Sequence, residues 1–398
     1  MARFNIKAFK DFFQSQQIGG FILLCCVVVS LIIANSGWGY RFERLLQEEL
    51  GADLAGVHLR YSVGLWINDG LMAIFFLLVG LEIKREIIEG ELSSPKKAAL
   101  PIFAALGGML FPATIYAMIN SGTETASGWG IPMATDIAFA LAILSMLGNR
   151  VPNSLKIFLS ALAIADDLGA IIVIAIFYTN ELHAEYLGYA GGVIVLLFAL
   201  NRLGFTNLFL YLVPGLFLWY FIHHSGIHAT IAGVILAFTI PTNVGSAASP
   251  LEKLEHAIAR PVNFLIMPLF ALANTNIRFE STMLSGLTSK LGLGIILGLI
   301  IGKTIGVTFF SWLSVKLGFS KLPGRAGWKH IIGLGMLAGI GFTMSIFVSL
   351  LSFDDQLHQN QAKFAILTAS VVAGAAGYLY LKFLSKRSKY NPAEARTD

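Results

Sequence analysis

The chain reads as long apolar stretches separated by short polar ones. Residues 12–40, 98–123, 330–353 and 364–381 contain no Asp, Glu, Lys or Arg. The stretch 203–251 is also free of all four, but it is too long for one helix crossing, and His223-His224-Ser225-Gly226 interrupts it. A helix crosses a bilayer core in about 20 residues. On that ruler the pattern predicts twelve helices, near 15–34, 62–88, 98–119, 124–147, 153–178, 185–202, 207–222, 226–241, 251–274, 292–314, 329–352 and 360–384. The outer loop at 37–61 alternates apolar and polar residues at Val57-His58-Leu59-Arg60-Tyr61, which suits either a short β-hairpin or an irregular loop. The polar tail 385–398 is expected to be disordered.

Composition agrees with this picture. Of 398 residues, 56% are hydrophobic and 13% charged, and the mean hydropathy is +0.73. A soluble domain could not bury so much apolar side chain, so a soluble enzyme, a nucleic-acid binder and a secreted disulfide scaffold are excluded. The net charge of +5 is then topogenic. With the N-terminus inside, 20 of the 28 Lys and Arg residues fall in inner segments and six in outer ones. That bias places both termini in the cytoplasm. Cys25 and Cys26 are neighbours in an apolar run and cannot staple distant loops.

Ionisable residues at membrane depth are costly, so each is a functional candidate. Asp69, Asp136, Asp166, Asp167 and Lys303 qualify, and Glu82 and Glu86 lie nearer an inner helix end. Asp166 and Asp167 sit mid-helix in Ala163-Ile164-Ala165-Asp166-Asp167-Leu168-Gly169. Adjacent helical residues point about 100° apart, so one acid can face a water-filled cavity while the other meets a partner. Ala161, Ala165 and Gly169 form a small-residue stripe that admits a close neighbour. Two close carboxylates resist ionising together, so the pair can exchange protons near neutral pH. Ionised, they offer hard oxygen ligands to a hard cation. Competition between protons and a cation at one alternating-access site is sufficient for antiport. Lys303 needs either a carboxylate or helix-end carbonyls as its counter-charge. His228 reads as structural, and Asp69 as locally hydrogen-bonded.

Two spans are interrupted. The fourth carries Pro132, Ala134 and Asp136, and the eleventh carries Gly333, Gly335, Gly339 and Gly341. Matched interruptions in two halves point to inverted repeats around a midplane ion site. Unwound ends expose partial charges, which Asp136 and Lys303 can balance.

Several motifs together carry a family resemblance. Ala134-Thr135-Asp136-Ile137-Ala138-Phe139-Ala140, Asp166-Asp167-Leu168-Gly169-Ala170, Ile301-Gly302-Lys303 and Gly339-Ile340-Gly341-Phe342-Thr343-Met344-Ser345 closely resemble the bacterial NhaA-type Na+/H+ antiporters. So do Leu65-Trp66-Ile67-Asn68-Asp69, Val79-Gly80-Leu81-Glu82-Ile83-Lys84-Arg85-Glu86 and Ser225-Gly226-Ile227-His228-Ala229-Thr230, in order from about residue 15 to 385. The resemblance implies an all-α polytopic membrane protein with 12 transmembrane helices. Two inverted-topology repeats, about 98–178 and 292–384, would contain crossing, broken helices 4 and 11. It implies electrogenic exchange of cytoplasmic Na+ or Li+ for external H+ across the bacterial inner membrane, without a cofactor. By motif position Asp167 is the principal cation ligand, Asp166 its partner pairing with Lys303, and Thr135 and Asp136 are supporting groups. The resemblance also implies a homodimer in membrane lipid and activation at alkaline pH. Glu82, Arg85, Glu86, Glu252, Lys253, Glu255 and His256 are the matching pH-sensing candidates. Glu252 stands where a basic residue can occur, Ala259 where a second histidine can occur, and Thr304 where proline can follow the lysine.

Three rivals are weaker. An intramembrane aspartyl protease places its acids on separate facing helices, with one in a Gly-x-Gly-Asp setting that is absent here. A Na+-coupled solute symporter needs further polar groups for an organic substrate. A channel does not fit a single buried site with a lysine counter-ion.

Overall fold

Within a bilayer every backbone N–H and C=O must be paired inside the protein, which makes apolar runs helical. The computed structural model describes residues 6–54, 57–179, 182–242, 249–279, 281–324 and 326–390. Among these, eight helices are long and apolar enough to cross a membrane, or up to ten if each of two bent pairs is one crossing. In chain order the helices are α1 (Ile6–Ala34), α2 (Gly39–Gln47), α3 (Val63–Ile88), α4 (Pro95–Asn120), α5 (Ile137–Met146), α6 (Asn153–Phe177), α7 (Ala184–Arg202), α8 (Phe209–His224), α9 (Thr230–Thr239), α10 (Pro250–Asn274), α11 (Ser281–Leu287), α12 (Lys290–Lys316), α13 (Trp328–Ala338), α14 (Phe342–Ser352) and α15 (Gln356–Tyr390). A 3-10 helix, Ala126–Met133, precedes α5. Helices α8 and α9 are apolar but shorter, with 16 and 10 residues.

The loop at 37–61 contains α2 and then a narrow antiparallel ladder. Glu49–Leu50 pairs with Tyr61–Ser62, and Asp53–Leu54 with Val57–His58. The tail departs from expectation, because α15 continues to Tyr390, past Ser385. No Gly or Pro interrupts the sequence until Pro392, and basic residues suit a helix C-terminus. The rest of the expected disordered tail, 391–398, lies outside the described residues.

The chain packs as two compact units. The first comprises Met1–Phe21, Glu91–Ala170 and Phe279–Asp398. Its most extensive helix contact is α4 against α12. A Cβ added at Gly107 would lie 2.2 Å from the Gly306 carbonyl oxygen, and one at Gly306 would lie 2.0 Å from that of Gly107. Only glycine at both positions allows these backbones so close, as expected where helix association in lipid relies on small residues. Gly169 of α6 meets Met109 of α4 in the same way, with a Cβ only 2.3 Å from its sulfur.

The second unit comprises Ile22–Gly90 and Ile171–Arg278. Leu77, Leu81, Leu197, Tyr211, Leu218 and Leu236 are central to its core. Gly233 brings α9 against α3, where a Cβ would lie 2.2 Å from the Ala73 carbonyl oxygen.

Candidate ion-binding site

The site in the first unit is built from two interrupted helices that complete each other. Residues 134–136 leave helical geometry, with Ala134 and Asp136 extended. Gly339 ends α13 and Gly341 begins α14, with a 47° bend between them. Each break supplies partners that the other lacks. The Asp136 backbone N–H donates to the Ile340 carbonyl (2.6 Å). The Thr135 hydroxyl donates to the Ala338 carbonyl (2.9 Å), and the Ser345 hydroxyl to the Ile131 carbonyl (2.7 Å). Asp136 Oδ1 accepts from the Phe139 N–H at the start of α5 (3.0 Å). Its Oδ2 accepts from the Thr343 N–H at the start of α14 (3.1 Å) and from the Thr343 hydroxyl. One carboxylate therefore stands at the positive ends of two half-helices.

Lys303 follows a π-helical turn, Gly298–Gly302, of the kind often found at functional positions. Its ammonium donates to Asp166 Oδ2 at 2.5 Å. Lys303 is 0% exposed, Asp166 1% and Asp167 3%. Of the two counter-charges open to Lys303, it takes the carboxylate, and the Ala338 carbonyl at the end of α13 is met by Thr135. The second Asp166 oxygen, Oδ1, has no hydrogen-bond partner among the described residues. Thr135 lies beside the same carboxyl group. The arrangement combines a fixed cation, a carboxylate with one oxygen still to be satisfied, a second buried carboxylate and a hydroxyl. It can hold a proton or a small hard cation.

The expected pH-sensing residues lie in the second unit. Arg85 bonds Glu255 and approaches Glu86 at 3.5 Å. Glu82 is in electrostatic reach of Arg85, as His256 is of Glu255. Glu252 is engaged differently. Its carboxylate accepts from the Ser249 N–H (2.9 Å), while its own N–H donates to Ser249 Oγ (3.2 Å), which makes a capping box at the start of α10. Lys253 is exposed. Asp69, expected to bond locally, instead meets His223 of α8 at 3.3 Å.

A family model described as Na+/H+ antiporter 1 matches residues 10–381. The chain belongs to that family. Similar proteins include Na+/H+ antiporter NhaA 2 of Flavobacterium johnsoniae, which is 65% identical over 386 residues, covering 97% of this chain and 95% of the relative. Na+/H+ antiporter NhaA of Flavobacterium psychrophilum is 53% identical, covering 96% of this chain and 97% of the relative. Na+/H+ antiporter NhaA 1 of F. johnsoniae is 52% identical, with 96% and 98% covered. Membership of the Na+/H+ antiporter family, with its several apolar crossings, makes this a multi-pass membrane transporter and not an enzyme.

Three features of this antiporter-family chain escaped the sequence reading. Thr343 lies inside a quoted motif, yet its partnership with Asp136 spans 207 positions and leaves no local signal. Lys84 donates to the Phe238 carbonyl (2.8 Å) and to that of Ile240, capping the C-terminal end of α9. Its place within Leu81-Glu82-Ile83-Lys84-Arg85-Glu86 made it look merely topogenic. His223 was read only as part of a break, although a histidine beside a membrane acid is itself a pairing signal.

Proposed function

We propose that the chain is an electrogenic antiporter that expels cytoplasmic Na+, or Li+, in exchange for external H+ by alternating access. The observation that carries this reading is the fully buried Lys303–Asp166 pair with Asp167 at the next position. Breaking a buried pair leaves an uncompensated charge, so Lys303 needs Asp166 until something replaces one of the two charges. A cation arriving at Asp167 competes for the Asp166 oxygens and supplies that replacement. Protons arriving from outside neutralise the carboxylates and release the cation. Thr135 contributes a hydroxyl oxygen, and Asp136 holds the two breaks together electrostatically. With two protons entering per cation leaving, each cycle moves one net charge inward, and 100 mV contributes about 2.3 kcal/mol to it.

In the same reading there are twelve crossings, with inverted repeats at about 98–178 and 292–384. The two interrupted segments and their cross-bonds support this pairing. Both termini lie in the cytoplasm of a bacterial cell, which follows the Lys and Arg bias. The protein works as a homodimer in the inner membrane. Activity rises at alkaline pH, when a change of protonation in the cluster that joins Glu82, Glu86, Glu255 and His256 to the fixed charge of Arg85 shifts helix positions. Lys253 contributes charge at its edge, and Glu252 holds the start of α10.

The test uses sealed liposomes with a pH gradient, to which Na+ is added across a pH series. Wild type is expected to collapse the gradient, and a folded Asp167→Asn variant to leave it intact. No Na+ response from folded wild type at any pH would sink the antiport reading, and uptake dependent on an organic solute would favour symport.

A further inference from the structure

At one end of the first unit, a cavity of about 890 Å³ opens between the N-terminal ends of α4 and α6 and the loop after α12. Its rim carries Lys96, Lys97 and Lys321, and its walls include Leu100, Phe158 and Phe319. Among the described residues Glu91 is the one acid in the lining, so together with the three lysines it leaves a net two positive charges. All three lysines are exposed, and no ion pair engages them among the described residues. Their ammonium groups are free to turn toward an anion. Ser154 at the start of α6 donates to the Pro323 carbonyl (3.3 Å), which ties the loop to that helix.

The lining separates two chemistries. Lysines at the rim suit a phosphate, whereas the Leu100, Phe158 and Phe319 walls give a free phosphate nothing to bind and would accept an acyl chain. Basic pockets between membrane helices at the headgroup level are recognised sites for acidic lipid headgroups. We propose that this cavity binds an anionic phospholipid, with its phosphate on Lys96, Lys97 and Lys321 and an acyl chain against Leu100, Phe158 and Phe319. The bound lipid clamps α4, α6 and the α12 loop at one end. Helix α6 carries Asp166 and Asp167, and α12 carries Lys303, so the clamp stabilises the scaffold of the ion site.

Detergent-solubilised protein is titrated with dioleoylphosphatidylglycerol, dioleoylphosphatidylcholine or inorganic phosphate, and the melting temperature is followed. Phosphatidylglycerol is expected to raise it saturably, and the other two to leave it unchanged. In Lys96→Gln/Lys97→Gln/Lys321→Gln the half-saturating lipid concentration is expected to rise by at least on the order of tenfold. A control with the same charge loss elsewhere, Arg202→Gln/Lys329→Gln/Lys382→Gln, is expected to keep the wild-type value. The single charge reversal Lys321→Glu, in the loop, gives the same comparison if the triple variant folds poorly. Equal protection by phosphatidylcholine, protection by inorganic phosphate alone, or equal loss in the control would overturn the proposal. Because melting rather than transport is read, the result stands apart from the antiport test.

Discussion

Among the described residues, the three buried aspartates of the first unit have unequal surroundings. Asp136 is saturated by protein donors, Asp166 shares an ion pair and retains one unsatisfied oxygen, and Asp167 is buried beside it. A saturated acid is a structural element, so Thr343→Val is expected to lower stability by about 1–3 kcal/mol, read as a lower melting temperature, while Na+-dependent exchange survives. Lys303→Gln should behave differently. It leaves Asp166 buried without a counter-charge, a loss of about 3–5 kcal/mol while the carboxyl is ionised. A proton can replace the missing charge, so the deficit should shrink as pH falls, and melting curves from pH 5.5 to 8.5 would check the sign. An equal deficit across that range would mean that Asp166 does not depend on Lys303. At this scale the sequence was informative wherever a charge sat in an apolar run, because the cost of burial made Asp166, Asp167 and Lys303 conspicuous. It was silent where a partner is an ordinary residue at a distance, as with Thr343.

Most helix positions came out of the hydropathy pattern to within a few residues, since a bilayer permits little else over a long apolar run, but α1 begins at Ile6, well before the expected 15, and α15 runs on to Tyr390. The pattern missed α2 and α11, short helices in connecting segments where no apolar run marks them. It also missed the π-helical turn before Lys303, because the local composition there is equally compatible with ordinary helix. The capping box at the start of α10 gives a sharper lesson, since it separates two acids that share one sequence cluster. Ser249→Ala is expected to cost about 1 kcal/mol of stability. Glu252→Gln should leave the pH profile of exchange close to wild type, whereas Glu255→Gln, which removes the partner of Arg85, should move it. Transport measured from pH 6.5 to 9 distinguishes the two, and a larger shift for Glu252→Gln would return that residue to the sensing group.

For the whole molecule, the decisive prediction concerns charge. If two protons exchange for one cation, a K+ diffusion potential set by valinomycin, negative on the side from which Na+ leaves, should accelerate exchange, and the opposite potential should slow it. Rates indifferent to potential would establish electroneutral exchange. The family was legible from motifs spread along the chain, while the way its helices gather into two packed units was not, because that depends on tight glycine contacts such as Gly107 on Gly306. The bonds between the two breaks also have a consequence for biosynthesis. Asp136 leaves the ribosome about 200 residues before Thr343, its Oδ2 partner. Until α13 and α14 follow, the segment 126–146 must wait in the translocon or the bilayer with an acid and an unwound backbone lacking their partners. A nascent chain halted at residue 327 is therefore expected to hold that segment loosely, open to a thiol reagent at an introduced cysteine, and to close around it only when α13 and α14 arrive.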